Sequence, residues 1–368
     1  MIHGGGNMRL RAGVQYVLFN LIGSTLFLFA LGAIYAQTGT LNMADLAHRV
    51  TLIDASDTAG IRIAAVLLLL VFAIKAAVVP LHFWLPSSYA EAPAPVAALF
   101  AIMTKVGAYA IIRVYTLIFP PDLEVTAGLF STWLMPAALV SLAIGMIGVL
   151  AAKKLDRLVA FSVIGSMGMV MVAISMFTPA GIAAALYYIV HSTLAAASLF
   201  LITDLVRAGR PSLHLTAMPP ISGAALTSAM FFVAAIAMAG LPPLSGFVGK
   251  LLILDAGFDT PAVVWIWAVV LGSSLISIVG FGRAGSVVFW KAKSVTQDAE
   301  ADQPPAPAAL SYVAVGGLIT LLAVHTVFAG PAYRYVEQTS AQLFAPEPYT
   351  STVLDTPGKL SKPSKEAH

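Results

Sequence analysis

Apolar runs of about 20 residues, one after another and nearly free of charge, constrain this chain more than any other feature of its sequence. Residues 128–150 hold no ionisable side chain, and comparable runs recur at 14–36, 61–79, 93–118, 156–177, 182–206, 223–254, 262–290 and 310–329. In hydrocarbon every backbone amide must find its partner within the protein, so such segments fold as helices or as closed barrels. Barrel strands alternate in polarity over about 10 residues, whereas these runs are continuous. The pattern therefore predicts an all-α polytopic membrane protein of about nine transmembrane helices, embedded in the lipid bilayer. The first run is too long for a signal-peptide core and reads as a retained helix.

Charge and composition narrow the function. Only 10% of the 368 residues are charged, and the formal net charge of +3 is divided among loops. No basic patch with interleaved aromatics is visible, so no nucleic-acid partner is predicted. Zero cysteines exclude disulfides, iron–sulfur clusters and cysteinyl zinc sites. The sequence shows no cofactor-binding pattern. No cofactor, metal or catalytic residue is predicted, and the chain does not read as an enzyme.

Four ionisable residues lie well inside apolar runs: Lys75, Lys105, His191 and Lys250. A lysine at a span centre costs about 2.5 to 3.5 kcal/mol on insertion scales, so three of them imply a polar interior. Any one could snorkel to an interface; four together argue for a row of groups passing protons laterally. Pro80 follows Lys75 and leaves the Ala76 carbonyl without its helical donor, while Pro242 and Pro243 do the same for Met238 and Ala239. Both lysines thus belong to helices predicted to be broken, the arrangement from which many transporters build ion sites. The two lie an odd number of spans apart, so their helices run in opposite directions, as in an inverted repeat.

The remaining polar residues take plainer readings. His82, beyond Pro80 in the turn HFWLPSSYAEAPAP, is an interfacial anchor or a proton uptake group. Glu91 and Asp204 read as solvated span ends, Arg113 and Arg283 as snorkelling, and His325 as structural. Asp156 is placed to cap the fifth span. The stripe GSMGMVM reads as helix packing. Residues 45–57 read as a loop, 291–308 as a mobile linker, and the chain beyond Tyr333 as a loosely ordered tail. Arg9, Arg11, Lys153, Lys154, Arg157, Arg207, Arg210, Lys291 and Lys293 fall on one side by counting spans, which puts the N-terminus in the cytoplasm.

The segments KAAVVPLHFWLPSSYAEAPAPVAALFAIMTKVGAYAIIR, LDRLVAFSVIGSMG, ALYYIVHSTLAAASLF and MAGLPPLSGFVGKLLIL resemble the antiporter-like membrane subunits shared by complex I and the Mrp (Pha) cation/proton antiporters. LPPLSGFVGKLLIL, GTLNMADLA and RAGSVVFW are similar to the D-type component of the Mrp/Pha systems. The resemblance implies that Lys75 is the lysine of the first broken helix, Lys105 the connecting lysine, His191 the central histidine and Lys250 the lysine of the second broken helix. It also implies membership of a multisubunit Na+ or K+/proton antiporter in the bacterial inner membrane, with other Mrp/Pha subunits as partners. A proton-pumping component of a complex I-like quinone oxidoreductase is the alternative, and a non-conducting remnant a third. In the family the lysine matched by Lys75 pairs with a glutamate on a helix that precedes the first residue here. The first inverted repeat is therefore expected to be incomplete, through a truncated gene model, a separate polypeptide or degeneration, and the chain alone is expected not to transport. The expected division is 1–118 for the end of the first repeat, 119–290 for the second, 291–332 for the linker and last helix, and 333–368 for the tail.

Overall fold

The computed structural model describes residues 5–54, 58–126, 128–295 and 307–356. Among them every regular element is a helix. The expected spans appear as α1 (Asn7–Thr38), α3 (Ala59–Ala76), α5 (Ala94–Leu117), α6 (Ser131–Ala151), α7 (Leu155–Ser175), α8 (Pro179–Ala208), the pair α9 (Ala224–Ala239) and α10 (Ser245–Ala256), α11 (Val263–Gly285) and α12 (Ala309–Val327). Eight are long and apolar enough to cross a membrane unaided, and the ninth crossing is the pair α9 and α10. The chain is a polytopic membrane protein.

Local chemistry accounts for the helix ends. The turn between α7 and α8 works because the Thr178 side chain accepts the Gly181 amide at 3.0 Å and Pro179 follows at the first helical position. Asp156 does not cap α7 as expected; it lies inside the first turn and accepts the Arg157 amide at 2.7 Å. The loop after α8 meets this end instead: its Leu213 carbonyl accepts the Leu155 amide, and its Leu215 amide donates to the Lys153 carbonyl, each at 2.9 Å.

Burial ranks the helices. Nearly all of α7 is enclosed, 94% of its apolar window, whereas α1 and α12 show 17% and 11% and form the rim. The glycine stripe packs helices, as its spacing suggests: a Cβ on Gly168 would lie 2.3 Å from the Leu142 amide nitrogen, so only hydrogen permits α6 to seat on α7.

Three loop expectations are corrected. Part of the connector after α1 is helical, α2 (Met43–Val50), because Asn42 accepts the amides of Ala44 and Asp45. The turn after Pro80 contains α4 (Trp84–Glu91), whose buried face includes Trp84, Leu85 and Tyr89. The described part of the tail, up to residue 356, forms α13 (Ala329–Leu343) and α14 (Glu347–Asp355), and 357–368 lie outside the described residues. Ser340 on α13, fully buried, donates to the Pro179 carbonyl at 2.7 Å, and the Arg113 guanidinium lies 4.4 Å from the Tyr349 ring centre on α14. These contacts hold the tail on the bundle end opposite the N-terminus. Most of the expected mobile linker lies outside the described residues.

Candidate functional site

The four membrane-embedded groups sit on helices that pack in sequence: α3 on α5, α5 on α8, and α8 on α10. Lys105, His191 and Lys250 are 3%, 0% and 5% exposed, so none of these three snorkels.

Lys250 has the most complete environment. Gly240 ends α9 in the left-handed region at φ 72°, and α10 begins at Ser245. Its missing side chain matters, because a Cβ there would lie 2.6 Å from Lys250 Cδ. The ammonium donates to the Ala239 carbonyl at 2.6 Å, one of the two that Pro242 and Pro243 strip of helical donors. It also donates to Ser274 Oγ on α11 at 2.7 Å, a partner that span counting could not supply.

His191 faces the same break. Its Nδ1 lies 2.9 Å from Ser245 Oγ, while Nε2 is buried without a partner. Tyr187 Oη, Tyr188 Oη and His325 Nε2 are likewise buried and unpartnered. The rings interleave, with His325 stacked on Tyr187 at 4.4 Å and Tyr188 beside His191 at 5.3 Å. In sequence His325 reads as a lone structural histidine; only the docking of α12 on α8 brings it to this cluster.

Among the described residues Lys105 meets a single polar partner, Ser166 Oγ on α7 at 3.5 Å, a long contact. Lys75 differs from the others. Its helix ends at Ala76, with Ala77 left-handed at φ 53°, so the break opens three residues ahead of Pro80. The ammonium donates to Asn20 Oδ1 on α1 at 2.5 Å. It is half-buried and lines a groove of about 430 Å³ between α1, α3 and α5, with Gly23, Phe27, Phe72 and Met103. His82 lies in the non-helical stretch after α3, half-buried, with Nδ1 unpartnered.

The plainer residues acquire definite places. Arg283 reaches the Ala152 carbonyl at 2.7 Å and Arg113 reaches Tyr349, so both end on specific partners. Glu91 and Asp204 are half-buried. Among the described residues no cluster of metal-ligating side chains occurs.

A row of membrane-embedded basic groups on successive helices, two of them at helix breaks, can be compared with known proteins. The family model described as NADH:quinone oxidoreductase/Mrp antiporter, TM, matches residues 2–277. The chain belongs to this family. The D subunit of the Na(+)/H(+) antiporter of Bacillus subtilis (strain 168) is 38% identical over 362 residues, covering 96% of this chain and 70% of that protein. The probable D subunit of a K(+)/H(+) antiporter of Rhizobium meliloti (strain 1021) is 33% identical, covering 97% and 70%. In fold, the chain is similar to one in the Mrp complex from Dietzia sp. DQ12-45-1b, with TM-score 0.81 at 24% identity over 95% of this chain and 71% of that one. A chain of respiratory complex I from Thermus thermophilus aligns with TM-score 0.75 at 24% identity, covering 92% and 70%. These likenesses give the fold shared by chains of the Mrp complex and of complex I.

Proposed function

We propose that this chain is the D-type membrane component of a multisubunit monovalent cation/proton antiporter. Protons move through Lys75, Lys105, His191 and Lys250, with Pro80, Pro242 and Pro243 opening the helices beside the first and last lysine and His82 serving proton uptake. The chain carries no enzymatic chemistry. Its partners are the other antiporter subunits, its membrane is the bacterial cell membrane, and its N-terminus is cytoplasmic. Residues 119–290 act as one repeat, with 1–118 contributing to the other.

The observation that carries this reading is the Lys250 ammonium, buried between a proline-freed carbonyl and a serine with, among the described residues, no carboxylate bonded to it. A buried ammonium held by two neutral oxygens is costly in low dielectric, a cost that a purely structural lysine has no need to carry. Similarity to relatives named for both Na(+)/H(+) and K(+)/H(+) exchange supports monovalent cations as the class.

The test is Lys250→Ala in the complete complex. Cation-dependent collapse of a proton gradient, followed with a pH-sensitive dye in everted vesicles, is expected to vanish while assembly persists. Wild-type exchange by an assembled Lys250→Ala complex would refute the relay.

A further inference from the structure

Where α1 and α7 begin and α4 and α8 end, a pocket of about 290 Å³ opens at the basic end of the bundle. Arg9, Lys154, Arg207 and Arg210 line it together with Glu91 and Asp156, a formal balance of +2 by subtracting two acids from four bases. One acid is already engaged: the Asp156 carboxylate accepts the Arg157 amide at 2.7 Å and holds Arg207 at 3.5 Å. Arg9 Nε is fixed at the rim by the Glu91 backbone carbonyl at 3.1 Å.

Arg210 is the unsatisfied member. It is 5% exposed, it donates one hydrogen bond, Nη2 to the Thr216 carbonyl at 2.6 Å, and its Nε and Nη1 are buried without any partner. A buried guanidinium missing two of its bonds is costly, and burial holds its pKa below the ordinary value. Nη2 keeps a second N–H beside its bond to Thr216, so together with Nε or Nη1 it can offer an oxyanion two parallel bonds. The other three cations come from three different helix ends around the same space, which suits an anion with several oxygens.

We propose that this pocket binds a phosphate group, supplied by an anionic phospholipid headgroup or by free phosphate. Its place at the polar end of four helices of the bundle puts it at headgroup level, where basic pockets recognise anionic lipids. The site is separate from the buried lysine row and does not depend on the transport reading.

The full chain, purified from its native membrane in neutral detergent and stripped of lipid, is offered inorganic phosphate in one arm and phosphatidylglycerol in the other, with chloride at matched ionic strength as blank. Saturable binding above the blank is expected for at least one probe, falling about tenfold in Arg210→Gln. Arg11→Gln, at an exposed position off the pocket, should bind like wild type. Phosphatidylglycerol binding without phosphate binding identifies a lipid site, and phosphate binding identifies the soluble source. Should Arg210→Gln not be recovered folded, Lys154→Gln carries the same comparison. Neither probe exceeding chloride, or pocket variants binding as Arg11→Gln does, overturns the proposal.

Discussion

Ser274 contributes a single hydroxyl, yet it is one of two groups that position the Lys250 ammonium. Hydrogen bonds to charged groups contribute about 1.5–3 kcal/mol, so Ser274→Ala should slow exchange on the order of tenfold to a hundredfold without loss of fold. Exchange kinetics in vesicles with matched protein content check this; unchanged rates would leave Ala239 as the sole functional partner. Asn20 offers a parallel experiment at the other lysine. Asn20→Leu removes the acceptor that Lys75 uses and should impair exchange, while Asn20→Asp, which keeps an acceptor in place, should retain more activity than Asn20→Leu. Equal activity in the two variants would argue that Lys75 does not rely on this contact.

Breaks and end-on helices are the least legible elements in the sequence. Prolines announce both interruptions, but α3 stops before its proline and α9 stops at a glycine, so the broken geometry depends on Ala77 and Gly240 as well. Gly240→Ala combines an unfavourable left-handed residue with a methyl pressed onto Lys250. The flexible lysine end can yield, and in yielding leaves the Ala239 carbonyl. Loss of exchange with normal expression is the expected outcome, and full exchange would show that this carbonyl is dispensable. The tail presents a different case. Its polarity suggests looseness, yet α13 lies on α8 through Ser340, and Ser340→Ala should lower stability by about 1 kcal/mol, read as a reduced thermal midpoint in detergent.

For the whole molecule, the sidedness of the bundle follows from which ends share cations. Arg9, Lys154, Arg207 and Arg210, grouped by counting spans, line one pocket, while the tail helices pack over the other end. The chain contains no cysteine, so single cysteines report topology without background. Lys153→Cys should react with an impermeant maleimide only in everted vesicles, and Asp122→Cys only in right-side-out ones; both positions are exposed. The reverse pattern would invert the proposed orientation. At the centre, α7 is so enclosed that its packing limits the fold. Gly168→Val would force α6 and α7 apart at backbone level and should prevent recovery of folded protein.

Much was decided by the chain's own pattern. Uninterrupted apolar runs specify helical spans because lipid offers no hydrogen bonds to backbone, and lysines within those runs specify an interior because lipid solvates charge poorly. The family resemblance and the four candidate residues were legible for the same reason, since motif and cost coincide at Lys75, Lys105, His191 and Lys250. The partners were not legible. Asn20, Ser166, Ser274 and His325 lie 55, 61, 24 and, for His325 to Tyr187, 138 residues from the groups they meet (325 minus 187). A serine or asparagine in an apolar span reads the same whether it bonds its own helix or another's charge. Helix docking alone chooses between those fates, because contact across helices depends on rotation and depth that no local pattern records.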